Sequence, residues 1–221
     1  MLVARRGDRL HALAAEVGNA HVIVSDLSEA GAPQRLAEEV EALGLAVSTL
    51  INNAGFGLAG RFAALPADRQ LEMIELNVRA LTALCRIFLP AMVERRSGGI
   101  LNVASTAAFQ AGPHMAVYYA SKAFVLSLTE ALHQEMKGSG VHVTALCPGP
   151  VATEFFEVAG AADGRLARMG AGAPGVVRVG LRGLDRNRAI VIPGVANRVG
   201  SQASRFLPRA AMRRIIASIK A

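Results

Sequence analysis

Three side chains in this sequence have the types and spacing for proton transfer: Tyr118, Lys122 four residues later, and Ser105 thirteen residues before the tyrosine. In a helix, positions i and i+4 share a face, so the phenol and the ammonium of Tyr118-Tyr119-Ala120-Ser121-Lys122 point into one space. An ammonium beside a phenol favours the phenolate and is expected to lower a pKa that is about 10 in water. A tyrosine tuned in this way gives or takes a proton near neutral pH while another group moves a hydride. The spacing alone is weak, because lysine is common and most such pairs lie on solvated helix faces.

The surrounding segments strengthen it. Residues 98–105, Gly-Gly-Ile-Leu-Asn-Val-Ala-Ser, read as a buried strand ending in a hydroxyl, and open α/β sheets place chemistry beyond the carboxyl ends of their strands. Val47-Ser48-Thr49-Leu50-Ile51 runs into Asn52-Asn53-Ala54-Gly55, small and amide residues suited to close backbone approach. Val141 to Cys147 runs into Pro148-Gly149-Pro150-Val151-Ala152-Thr153. Before them, a helix capped by Asp8 and closed at Gly18-Asn19, a strand followed by a turn over 21–27, an amphipathic helix over 33–43 and a strand over 46–51 are predicted. A long helical stretch over 67–95 carries Asn77 and is interrupted at Pro90. Strand 99–104, helix 117–137, strand 141–146, a helix from Pro174 to about Leu184 and a last strand over 189–194 complete the rhythm. This alternation predicts parallel βαβ units in a layered sheet. Residues 149–175 are rich in Gly and Ala with weak periodicity and read as a mobile loop with a short helix, a lid over a substrate.

Composition narrows the class. The 221 residues suffice for one sizeable core, and 52% hydrophobic with 19% charged residues excludes a disordered chain. Cys85 and Cys147 form no disulfide framework, and the five histidines have no ligand spacing, so a reducing, cytoplasmic compartment and no metal are expected. No run of apolar residues reaches the length of a membrane span, and no signal-peptide pattern opens the chain. Of the net charge of +7, six come from Arg198, Arg205, Arg209, Arg213, Arg214 and Lys220, with no acid after Val195. The remainder is near neutral, so no nucleic-acid surface is expected.

Asn52-Asn53-Ala54-Gly55, Asn77, Ser105, Tyr118 with Lys122, and Pro148-Gly149 stand in an order and at spacings that resemble the short-chain dehydrogenase/reductase family. The resemblance covers roughly residues 1–194 and implies a Rossmann-like, three-layer, doubly wound parallel sheet. One departure stands out. The family opens with a strand and a Gly-rich turn that cradles a pyrophosphate at a helix N-terminus, whereas this chain opens at Met1-Leu2-Val3-Ala4-Arg5-Arg6, which looks like the end of the family's second strand. A βα unit is therefore expected to be missing; Met1 is either an internal methionine or the start of a true truncation.

The resemblance implies an oxidoreductase that interconverts an alcohol and a carbonyl compound with a nicotinamide cofactor. Tyr118 would be the acid in reduction and the base in oxidation, Lys122 would lower its pKa and bind the nicotinamide ribose, Ser105 would hold the substrate oxygen, and Asn77 would hold a water linking Lys122 to solvent. Arg5 stands where the second strand ends, and no acid occupies that turn, which favours NADP over NAD. Asp26 and Leu27 would flank the adenine, Asn52, Asn53, Ala54 and Gly55 the adenosine side, and Pro148, Gly149, Val151 and Thr153 the nicotinamide. Asp26 as a helix cap, and the glycines as ordinary turn residues, are the plainer alternatives. Tyr119 lies three from Lys122 and is expected to pack or wall the substrate, and His114 to border the pocket. A small carbonyl or alcohol substrate and a homo-oligomer are implied.

The rival reading is an inactive fragment retaining the fold as an interaction module. The tail from 195 to 221 places Met212, Ile215, Ile216 and Ile219 on one helical face opposite Arg209, Arg213 and Lys220. It suits a basic helix on a membrane surface or a partner, and equally a terminal helix docked on its own domain.

Overall fold

The structure, a computed structural model, describes residues 1–162 and 170–220, with side chains for all of these except 203–205, 219 and 220. The faces expected of Ile219 and Lys220, and part of the expected lid, lie outside the described residues.

Strands β1 (Leu2–Ala4), β2 (Val22–Val24), β3 (Thr49–Asn52), β4 (Gly98–Val103), β5 (Val141–Leu146) and β6 (Ile190–Val191) are all parallel. Between them run α1 (Gly7–Val17), α2 (Ala32–Ala42), α3 (Ala67–Ile74), α4 (Leu81–Glu94), α5 (Ala116–Glu135), α6 (Phe155–Val158) and α7 (Ala173–Asp185); α8 (Val195–Phe206) and α9 (Arg209–Lys220) follow β6. Alternate residues of β4 explain the layers. Ile100 packs with Leu81, Cys85 and Met92 of α4 and Val125 of α5, while Leu101 packs on the other face with Val176 and Leu184 of α7. This is the expected doubly wound α/β fold.

The sheet itself comes in two pieces, β1-β2 and β3-β4-β5-β6. Among the described residues no strand pairs β1 with β3. Both pieces nevertheless lean on one cluster, in which Val3 and Ile23 meet Leu36 and Val40 of α2, Leu84 of α4 and Leu50. On the opposite face Ile51 and Val24 stay about half exposed, at 50% and 56%. The layered parallel sheet predicted from the alternation is present in these two pieces.

Three local expectations also change. Asp8 lies within the first turn of α1, whose N-cap is Arg6 with no side-chain cap bond. The helix runs straight through Pro90, which shares the exposed face with Arg86, so the carbonyl left without a donor turns to solvent. The irregularity falls earlier, in a widened π-type turn over Glu75–Ala80 that carries Asn77. The resulting helix, Ala67–Glu94, is long and apolar enough to cross a membrane by length and composition alone, although Arg79 and Arg86 interrupt its apolar residues. Its apolar residues Met73, Leu81, Leu84, Cys85 and Met92 are spent in the core.

Candidate active site

β4 delivers Ser105 just beyond its carboxyl end, and α5 delivers Tyr118 and Lys122 from its first two turns. Ser105 Oγ accepts from Ala107 N at 3.1 Å, capping a short helical turn, and faces the Pro148 carbonyl at 3.4 Å. The Ser105 hydroxyl bears on the Tyr118 phenol, favouring its ionised form. Tyr118 is buried, so its ring is turned away from solvent.

The electrostatics differ from the expectation. Burial pushes the Tyr118 phenol up to about 12, the nearby Ser105 hydroxyl opposing it, while burial pushes Lys122 down to about 8. Lys122 Nζ donates to the Val103 carbonyl at 2.8 Å and lies 5.9 Å from the Tyr118 ring centroid. The lysine thus leans on the strand end rather than on the phenol, and desolvation outweighs the attraction that the i, i+4 spacing suggested.

Asn77 is buried and its amide bonds within the chain. Its Nδ2 donates to the Phe56 carbonyl at 2.9 Å and to Ser121 Oγ at 3.2 Å, and its Oδ1 accepts from Phe56 N at 3.1 Å. Its side chain thus fastens the loop after β3 to α5. Gly55 is needed beside it: a Cβ there would sit 2.8 Å from Asn77 Oδ1 and 3.6 Å from Lys122 Nζ.

Among the residues expected to line a cofactor, Asn53, Ala54 and Gly55 are exposed beyond β3, and beyond β5 Pro148, Gly149 and Val151 are partly exposed and Thr153 is exposed. Asn52 is turned inward: Nδ2 donates to Asn102 Oδ1 at 2.8 Å and contacts Cys85 Sγ at 3.3 Å, so its amide ties β3 to β4 rather than lining a cleft. Asp26 accepts from the backbone and hydroxyl of Ser28, at 2.9 and 2.6 Å, and Arg5 reaches Asp26 and Glu72, each at 3.4 Å. Asp26 is therefore a turn cap as well as a partner of Arg5. Leu27 packs partly buried beside the site cluster.

Several neighbours were not anticipated. Phe155 lays its ring on Tyr118, centroids 5.2 Å apart at 50°, and the apolar wall continues through Phe56, Met73 and Met115. Phe155-Phe156 is the one aromatic pair in a Gly/Ala-rich stretch, a cue the sequence did carry. Tyr119 meets Tyr118 edge-on at 6.0 Å, in the packing role expected of it. His114 is exposed and left-handed at φ 64°, its carbonyl accepting from Gly60 N. From the tail, Asn197 closes on Gly149, where a Cβ would lie 2.4 Å from its Oδ1. Met212 is buried and Ile216 packs on the site cluster, so that face of α9 is docked on the chain's own domain.

A serine at a strand end and a buried tyrosine and lysine on the adjoining helix thus stand together in a doubly wound sheet. The chain belongs to the short chain dehydrogenase family, whose model matches residues 1–163. It is 36% identical over 149 residues to the probable oxidoreductase EphD of Mycobacterium tuberculosis, covering 67% of this chain and 25% of that protein. It is 36% identical over 163 residues to sulfoacetaldehyde reductase 2 of Chromohalobacter salexigens, covering 70% and 64%. The chain thus spans between a quarter and two thirds of these two relatives. A short-chain dehydrogenase from Sphingobium yanoikuyae, solved in complex with NADPH, superposes with a TM-score of 0.81 at 30% identity over 93% of this chain and 82% of that one.

Proposed function

We propose that this protein is an NADP(H)-dependent oxidoreductase that interconverts an alcohol and a carbonyl compound, with Tyr118 as proton donor and acceptor. The observation that carries the reading is the placing of Ser105 at the carboxyl end of β4 with the buried Tyr118 and Lys122 on the first two turns of α5. Family membership and the NADPH complex of the Sphingobium relative support it.

The residues present fit the nicotinamide, ribose and adenosine parts of such a cofactor. Lys122 spends one of its three donors on Val103, and Gly55 keeps the approach to Nζ open, which suits ribose hydroxyls. Arg5 and Arg6 at the end of β1 suit an additional phosphate. The Gly-rich turn that holds the pyrophosphate in the family is not among the 221 residues. When bound, the nicotinamide supplies or accepts the hydride. Ser105 then holds the substrate oxygen by hydrogen bonding, and the Tyr118 hydroxyl passes a proton to that oxygen in reduction and takes it back in oxidation. Lys122, as an ammonium, stabilises the phenolate left behind. The apolar wall of Phe56, Met115 and Phe155 excludes water and selects an apolar face on the substrate.

A cytoplasmic homo-oligomer belongs to the same proposal; Cys85 and Cys147 are free and buried, as a reducing compartment permits. The test is oxidation of NADPH and NADH against a panel of aldehydes and ketones. Turnover with NADPH in excess of NADH bears the proposal out, and no turnover with either nucleotide refutes it.

A further inference from the structure

The end of β1 and the segment after β5 are joined by ions. Arg6 Nη1 holds Glu154 Oε2 at 2.9 Å, and Arg9, in the first turn of α1, holds the other oxygen of the same carboxylate. The next residue along the chain is Phe155, whose ring lies on Tyr118. Arg5 is shared by Asp26 and Glu72. Every arginine of this turn therefore already carries a carboxylate, and only Glu154 comes from the segment that covers the catalytic phenol.

We propose that Glu154 is an internal anion seated on Arg6 and Arg9, that it latches Phe155 over Tyr118, and that a phosphate on the adenosine ribose displaces it and frees the segment. This rests on the cofactor reading above and adds the coupling between phosphate recognition and access to Tyr118. Two guanidinium groups face one carboxylate, with Asp8 also acting on Arg9, so the seat offers an anion two donor groups that a single exposed carboxylate now occupies. The three side chains are 47–59% exposed, so each pair is weak in water and within reach of a ligand. A phosphate offers more charge and more acceptor oxygens than the carboxylate and forms stronger bonds to arginine. The Arg9 pKa is raised and that of Glu154 lowered, chiefly by their mutual hydrogen bond, as mutual pairing requires.

The two tyrosines are the chain's strongest intrinsic fluorophores, since it has no tryptophan, and both sit in this site. Acrylamide quenching therefore reads the cover directly. Without nucleotide, Glu154→Gln and Arg9→Gln, each checked for native melting, should raise the quenchable fraction about two- to fivefold, the range set by losing exposed ion pairs. Hydrogen exchange of residues 154–160 in the wild type should rise on adding adenosine 2′-monophosphate and not on adding adenosine, and Glu154→Gln should bind the monophosphate about two- to fivefold more tightly. Quenching in both variants equal to wild type, or equal monophosphate affinity in wild type and Glu154→Gln, would overturn the latch. None of these readouts needs turnover, so the latch stands or falls separately from the oxidoreductase reading.

Discussion

Lys122 carries an amine into a space that disfavours its charge, and this has a measurable consequence. Burial takes its pKa from the ordinary 10.5 down to about 8. Between those values the unfolded chain binds more protons than the folded one, so stability rises with pH from about 8 toward 10.5. Tyr118 acts in the opposite sense: raised to about 12, it makes stability rise further once the pH passes the ordinary phenol range near 10 only if its proton were lost on folding, and since the fold instead retains that proton, stability falls there. Melting curves of the wild type against Lys122→Met should converge or cross between pH 8 and 10; parallel curves would contradict the burial of the charged group. For catalysis, Lys122→Met should lower kcat by about 10²-fold or more, the usual scale for losing an acid-base element. The types and spacing of Ser105, Tyr118 and Lys122 were readable directly, because the i, i+4 rule and the strand-end hydroxyl are local. Where Lys122 Nζ points was not readable: the Val103 carbonyl that captures it lies nineteen residues away on another element.

At the scale of elements, the π-type turn of Glu75–Ala80 and the loop after β3 form one joint, closed by the paired bonds of Asn77 with Phe56. Gly55→Ala forces a Cβ against Asn77 Oδ1 and should cost about 1–3 kcal/mol in chemical denaturation, from overpacking together with a strained buried hydrogen bond. An unchanged midpoint would mean that the loop yields freely and the joint is not a constraint. Strands and helices were legible from periodicity to within a few residues, β5 to the residue. The exceptions share a cause: Pro90, the N-cap at Arg6 and the turn at Asn77 depend on which face of a helix meets solvent or a distant loop, and single-sequence patterns do not carry that. Likewise Asn52 matched a cofactor-lining motif, yet its amide is spent on Asn102 inside the sheet.

At the scale of the whole molecule, β1 and β3 each pair on one side only among the described residues, and Ile51 and Val24 present apolar surface next to those edges. Open parallel edges with apolar faces recruit other strands. Light scattering of the 221-residue chain should therefore show concentration-dependent association that Ile51→Lys reduces; identical profiles would show that the edges are protected. The ordering of βα units made the doubly wound architecture legible, and the absence of a Gly-rich turn from the sequence signalled a discontinuity, but only the register of the strands locates it between β1 and β3. The central claim is proton transfer by Tyr118 coupled to hydride transfer from a nicotinamide, and it is tested most directly with NADPH deuterated at the transferable position, following deuterium in the product alcohol by mass spectrometry. Deuterium should appear on the carbinol carbon with the wild type and fall by about 10²-fold or more in rate with Tyr118→Phe, nucleotide affinity being unchanged. Equal rates in the two proteins, or an alcohol free of deuterium, would contradict it.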